Sequence, residues 1–382
     1  MTNTTITIPL GLYCHLPWCI QKCPYCDFNS YQKKSQDSIS VYTDSLCVDL
    51  QSSSKYVSDR SLQSIFFGGG TPSLFPPSSF GQIIECIHQY YALDKTCEIT
   101  IEINPHTYAL GWLSDYYSLG INRASIGAQS FSASLLQKIG RTHTPHAIGH
   151  TFSTLRRSGF ENINIDIMYA LPDQTLAQAL SDLQQAIALQ PEHISWYELT
   201  IEPNTSFAKN TPDLPRDDTV YTMFVEGQKL LQQSGYIQYE ISAYSKSSAK
   251  QCKHNLNYWQ YGDYLGCGAG SHSKLTTNKP FSIQRFQKHK SPKAYQLAPY
   301  AECYNKKISV KERIFEYMLN RLRLVQPVSI NHLISTTSIA FSELKPSLIE
   351  GKNRGFLYYD DKHISLTPHG RRFLNDAQAI FI

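Results

Sequence analysis

One pattern limits this chain more than any other. Short apolar, β-branched segments alternate with amphipathic ones at roughly 30-residue spacing, the mark of βα units and a parallel sheet. The candidate strands are Leu10–His15, Leu62–Phe67, Glu98–Ile103, Arg123–Ala128, Asn162–Met168 and His193–Leu199. Between them lie candidate helices at Ser38–Leu50, Ser78–Tyr91, Leu113–Leu119, His146–Gly159 and Leu176–Leu189. Six such units fit a partial or complete parallel (β/α)6 barrel of the α/β class. In such folds the chemistry sits at the C-terminal ends of the strands.

The 382 residues suit two or three domains. Hydrophobic residues make up 41% and charged residues 17%, which excludes a disordered, collagenous or coiled-coil chain. No apolar run is long enough for a membrane span. The N-terminal stretch lacks a basic region followed by an apolar one, so the expected compartment is cytoplasmic. The net charge is +4. The whole excess lies from Glu302 onward, where twelve basic residues face eight acidic ones. So mild a balance reads as a solvated surface, and nucleic acid is not an expected partner.

Of ten cysteines, seven are scattered and read as small buried apolar residues. The exception is Cys19-Ile-Gln-Lys-Cys23-Pro-Tyr-Cys26, a C-x3-C-x2-C cluster. Three readings compete. A structural zinc wants a fourth ligand, with Cys14 or His15 available. Inert packing would put three thiols beside Pro17 and Pro24 in a loop. An iron–sulfur cluster held by three thiolates instead of the usual four would keep one iron open to a ligand.

Other polar residues fall at the same rim as this loop. Gly68-Gly69-Gly70-Thr71-Pro72 follows the second strand, Glu102 and Asn104 end the third, Gln129 ends the fourth and Asp166 lies late in the fifth. A Gly-rich turn there lets backbone groups approach a ligand closely. Each feature alone reads as a turn or a helix cap; their alignment points to a site.

The stretch Tyr13-Cys14-His15-Leu16-Pro17-Trp18-Cys19, with C-x3-C-x2-C and GGGTPS, resembles the radical S-adenosylmethionine (radical SAM) superfamily. More closely it resembles the heme-chaperone (HemW) branch of the coproporphyrinogen III dehydrogenase (HemN) family. IEINP, IGAQSF, IGRTH, NIDIMYALPDQT, WYELTIEPNT, HNLNYW and LGCGAGSHSK extend the likeness over nearly the whole chain. The resemblance implies that Cys19, Cys23 and Cys26 hold a [4Fe–4S] cluster whose open iron takes the amine and carboxylate of S-adenosylmethionine. It places Tyr13 beside the cluster, and the backbone of Gly69, Gly70 and Thr71 on the methionyl part. Arg141 suits a carboxylate, through its planar two-bond fork. Asp166 and Gln129 suit ribose hydroxyls, and Glu102 suits a cationic part of the ligand. The plainer alternative for Arg141 and Asp166 is an ordinary ion pair.

Within that family the readings divide. The dehydrogenase branch resembles C-x3-C-x2-C-x-C and has a substantial segment before the loop. Here Phe28 stands where the last Cys would be, and the first cysteine of the motif is at 19. The H-N-x-x-Y-W motif at His254, Tyr258 and Trp259 is associated in the heme-chaperone branch with heme. An imidazole can ligate iron and aromatics can stack on a macrocycle. The alternative is that His254 satisfies a core hydrogen bond while Tyr258 and Trp259 pack the barrel mouth. The favoured expectation is a heme chaperone, passing heme to an acceptor protein whose identity and membrane association are open, with no catalytic residue assigned. The second is a radical oxidoreductase acting on a porphyrinogen. Three parts are expected: a radical SAM core over 1–245, an HNxxYW segment over 246–300 that closes the barrel mouth, and a helical, winged-helix-like domain over 301–382. The tail pattern predicts helices at Val310–Arg323, Ser329–Ser335 and Ser342–Asn353, then a hairpin from Phe356–Tyr359 and His363–Leu366. That domain reads as a lid or docking module, since 342–353 carries Pro346 and no basic stripe.

Overall fold

The computed structural model describes residues 8–57, 59–105 and 107–382. Six parallel strands form where the alternation places them: β1 Leu10–Leu16, β2 Ser61–Gly69, β3 Ala92–Ile103, β4 Arg123–Gln129, β5 Ile163–Tyr169 and β6 His193–Glu198. Between them lie α1 Ile39–Ser53, α2 Pro77–Tyr90, α3 Leu113–Ser118, α4 Pro145–Arg157 and α5 Leu176–Ala188, with a further short helix over Ala133–Lys138. Local chemistry fixes their starts. The Ser38 hydroxyl accepts from the Val41 N–H, and Thr175 and Gln178 form a reciprocal capping box.

The sheet extends beyond this repeat at both edges. An antiparallel strand β7, Ala243–Ser245, pairs with β6 after the helix α6, Asp217–Gln233. On the other side β8, Asp263–Cys267, lies parallel to β1 with Cys14 opposite Cys267. It follows a short helix α7, Lys253–Trp259. Three antiparallel strands continue from it: β9 His272–Asn278, β10 Phe281–Lys288 and β11 Glu302–Lys307. With the two-residue strand Ile237–Gln238 beside β7, the result is a partial barrel within a sheet of twelve strands among the described residues. Two buried carboxylates fasten the added strands. Asp263 pairs with Lys274 and Arg60, and Asp49 of α1 pairs with Lys288 and accepts from Tyr295 and the Gly268 N–H.

The barrel strands alternate in polarity. Outward positions such as Ile99, Ile101, Ile163, Ile165 and Ile194 are buried beneath the helices in the main core. Inward positions carry Arg123, Ser125, Asn164, Asp166, His193 and Ser195, which line an open lumen. A barrel interior packed with branched apolar side chains would be closed; this polar set keeps it hollow.

The C-terminal helices are α8 Val310–Arg321, α9 Ile330–Thr337 and α10 Phe341–Asn353, followed by the hairpin Leu357–Tyr359 and His363–Leu366. Val328–Ser329 adds a third strand to the hairpin. The helix α10 runs through Pro346, forgoing the one hydrogen bond that proline cannot donate. These elements share a second hydrophobic core with Tyr261 and Ile283.

Candidate functional site

The cysteine loop leaves β1 and is clamped from several sides. The Gly70 and Thr71 N–H groups donate to the carbonyls of Leu16 and Trp18, both at 2.8 Å. A Cβ on Gly70 would meet the Trp18 carbonyl at 2.6 Å, so only glycine lets the two chains approach this closely. Gly140 packs on Pro24 in the same way, with a positive φ of 68°. Asn29 donates to the carbonyls of Ala269 and Lys290, and Lys22 to those of Phe28 and Ser30.

Cys19, Cys23 and Cys26 line one cavity of about 440 Å3, together with Gly69, Gly70, Thr71, Glu102, Gln129, Arg141 and Asp166. Neither candidate fourth zinc ligand joins them. Cys14 is fully buried in β1 and does not line this cavity. Both ring nitrogens of His15 are engaged, one with the Tyr13 hydroxyl and one with the Asn29 carbonyl, each at 2.9 Å.

Arg141 points its guanidinium into the cavity. It lies 3.7 Å from the Cys23 Sγ and donates to Asn104 Oδ1 at 3.0 Å and the Gly127 carbonyl at 2.6 Å. Asp166 accepts from Ser125 and Asn164, so no ion pair joins Arg141 to Asp166. Gln129 adopts φ 70°, a conformation a non-glycine residue rarely takes. Its Oε1 accepts from the Tyr197 hydroxyl at 2.5 Å. Glu102 accepts from the Gly69 N–H at 3.3 Å, and burial together with the Asp166 carboxylate pushes its pKa up to about 8. The N–H groups of Gly69, Gly70 and Thr71 are therefore spent within the protein. The Thr71 carbonyl accepts from the Leu74 N–H at 2.9 Å, so the carbonyls of Gly69 and Gly70 are the backbone groups left to a ligand.

A second chamber of about 590 Å3 adjoins the first and shares Phe28, Gly69, Glu102, Ser125, Asp166 and Ser195 with it. This is the barrel lumen. Tyr13 lies here and not in the cysteine cavity, because its strand position points inward below the rim. His254 and Tyr258 of α7 form one wall; Trp259 lines neither chamber. Helical geometry explains the separation. Residues four apart share a face, so 254 and 258 look into the lumen while 259 turns away. There it packs beneath the Arg323 guanidinium, 4.4 Å from the ring centroid.

His254 is 2% exposed. Its Nδ1 meets the Ser64 hydroxyl at 3.0 Å and its Nε2 the Tyr258 hydroxyl at 3.1 Å, while its ring stacks on Phe66. Burial, with Arg123 nearby, lowers its pKa to about 3, so it is neutral at pH 7. The core hydrogen bond anticipated as the alternative for this histidine is present, and the histidine also faces the chamber.

The lumen residues Arg123, Asn164, His193, Ser195 and Tyr264 escaped the sequence reading. The signal was available. In INIDI and RASIGAQ every second residue is apolar and its neighbours are polar or small, which is a strand with a polar inner face.

Comparison with known proteins places these features. Residues 13–186 match the model of the Radical SAM superfamily and residues 308–373 that of the HemN C-terminal domain. The chain is 43% identical to heme chaperone HemW of Haemophilus influenzae over 98% of both chains. It is 40% identical to that of Escherichia coli, again over 98% of both, and 30% identical to that of Bacillus subtilis over 97% of this chain and 98% of the other. Its fold matches the solved structure of coproporphyrinogen III oxidase (HemN) from Escherichia coli with a TM-score of 0.83 at 21% identity, covering 98% of this chain and 90% of that one.

Proposed function

The chain belongs to the HemW branch of the radical SAM superfamily, and from that membership we propose that it is a heme chaperone, binding heme and passing it to an acceptor protein. The observation that carries this reading is the second chamber. At about 590 Å3 it falls within the usual range for small-molecule sites, and neutral imidazoles and aromatic rings stand among its polar walls. His254 would ligate heme iron through Nε2 after Tyr258 gives up its hydrogen bond, with Nδ1 kept on Ser64. A low proton affinity leaves that lone pair free at neutral pH. Trp259 contributes to holding α7 against the C-terminal helices.

Cys19, Cys23 and Cys26 would hold a [4Fe–4S] cluster, which supports one-electron chemistry on bound S-adenosylmethionine. The donor set favours this over zinc, since the cavity gathers three thiols while Cys14 and His15 are committed elsewhere. Around S-adenosylmethionine, Arg141 would take the carboxylate, the Gly69 and Gly70 carbonyls and Glu102 the cationic groups, and Gln129 and Asp166 the ribose. Tyr13 would support the wall between the two chambers.

One observation favours a second reading, a radical oxidoreductase acting on a porphyrinogen. The chambers share a wall, so a lumen ligand would lie beside the nucleotide. Phe28 in place of a fourth cysteine weighs against it. Substrate-dependent formation of deoxyadenosine under reducing, oxygen-free conditions would establish the enzyme.

We take residues 1–245 as the barrel core, 246–300 as the segment closing the lumen and 301–382 as a docking or lid domain. Work in the cytoplasm is supported by ten unpaired cysteines. Among the described residues no helix is long and apolar enough to cross a membrane. The test is heme titration of the anaerobically prepared protein. A Soret band that weakens in His254→Ala supports the chaperone; no heme binding by the wild type overturns it.

A further inference from the structure

The floor of the lumen holds a guanidinium that donates no hydrogen bond to the described residues. Arg123 opens β4, is 2% exposed and lines the second chamber. Its Nε has no hydrogen-bond partner, and among the described residues its guanidinium donates no hydrogen bond. Glu98 Oε2 forms a long ion pair with it, 3.9 Å from Nε, beyond hydrogen-bond range. Glu98 is committed elsewhere: it accepts from the N–H groups of Lys253 and His254 at the start of α7 and from the Cys252 thiol.

The surrounding polar groups satisfy one another. Asn164 donates to Ser125 and to Asp166, Ser125 donates to Asp166, and His193 bridges Asn164 and the Tyr239 hydroxyl. Arg123 stands outside this network. A buried guanidinium without hydrogen bonds is costly, and the fork geometry of arginine suits a planar two-oxygen acceptor. The lumen histidines His15, His193, His254 and His272 are pushed toward the neutral form by burial, which leaves Arg123 and Lys290 as the cations lining the chamber.

We propose that Arg123 is the receptor for a carboxylate on the ligand of the second chamber. The inference rests on the proposed heme site and goes beyond it, by assigning an anion subsite at the barrel floor. Two molecules in play bear a carboxylate: heme, through its propionates, and S-adenosylmethionine, through its amino-acid end. Arg123 lines the lumen with His254 and Tyr258 and does not line the cysteine cavity, so the propionates are the favoured source.

The test compares hemin with its dimethyl ester, whose propionates are capped, on the wild type, Arg123→Lys and Arg123→Met. The wild type should bind hemin about 10- to 100-fold more tightly than the ester, as expected for charge-assisted hydrogen bonds. Arg123→Met should bind both at the ester's level. Arg123→Lys, which keeps the charge and the space, should recover part of the preference. A parallel dialysis measures the S-adenosylmethionine bound per chain; a count that falls only in Arg123→Met would assign the carboxylate to that nucleotide. If Arg123→Met keeps the full preference for the free acid and the nucleotide count, the proposal is overturned. It is equally overturned if the wild type binds acid and ester alike and the count does not respond to Arg123. Failure of the wild type to bind either porphyrin would instead sink the heme reading, leaving Arg123 to be judged on the nucleotide count.

Discussion

The two chambers of this barrel are built in opposite ways. The cysteine cavity is roofed by loops over the strand ends at the C-terminal rim, where short runs of residues hold each other in place: Gly70 on Trp18, Gly140 on Pro24, Asn29 on Ala269. The lumen is lined chiefly by alternate side chains of the strands, with α7 closing one wall. Change at the rim should therefore act through displacement of backbone, whereas change in the lumen should act through single side chains. The contrast matters for function, because a site of clamped loops suits a resident cofactor and a hollow of fixed strands suits cargo that comes and goes.

The largest effect expected from this contrast is at the rim. Gly70→Ala would drive a methyl group into the Trp18 carbonyl and push the cysteine loop outward. The expected cost is about 2–4 kcal/mol of stability with loss of acid-labile sulfide. Thermal unfolding and sulfide analysis check it, and an intact sulfide content would break the idea of a tightly clamped loop.

Next in size is His254→Ala. Loss of the proposed iron ligand should weaken heme binding by at least about tenfold, while sulfide content stays at the wild-type level, as a Soret titration beside sulfide analysis would report.

A smaller effect comes from the shared wall. Glu102 is largely protonated at pH 7, since burial and Asp166 raise its pKa to about 8. A cationic ligand favours its ionised form. The affinity for S-adenosylmethionine should then rise with pH toward about 8 by up to roughly tenfold per unit, level off above, and release a proton on binding. Calorimetry in buffers of different ionisation enthalpy measures that proton; Glu102→Gln should abolish its release. The sign for folding is the reverse. The native state keeps a proton that the unfolded chain has lost, so this group's contribution to the empty protein's stability falls as pH rises between the ordinary carboxylate range and 8.

The smallest change belongs to Trp259→Phe. The ring faces Arg323, not the lumen. Heme affinity should stay within about twofold, with a stability loss of about 1 kcal/mol from the weakened cation–π contact. A large fall in heme affinity would place Trp259 functionally in the lumen after all.

The same contrast explains what could be read from the sequence. The six parallel strands, their helices, and the tail helices and hairpin all announce themselves by local period. The rim residues are legible because clamped loops concentrate chemistry in contiguous words such as CIQKCPYC and GGGTP. Arg123 and His193 begin two different strands, and only the sheet register brings them to one floor. The position of β8 beside β1 was hidden for a related reason. It joins the sheet out of chain order, through buried ion pairs of Asp263 and Asp49 with partners far away in sequence. Trp259 is the converse case, where adjacency in a motif suggested a shared role that helical geometry separates.

The most direct test of the two-chamber account is one anaerobic experiment that reads both ligands at once, acid-labile sulfide and heme absorbance, in Cys19→Ser/Cys23→Ser and in His254→Ala. Independent losses are predicted: the cysteine variant empty of sulfide yet still taking up heme, the histidine variant the reverse. Joint loss of both signals in both variants would contradict it.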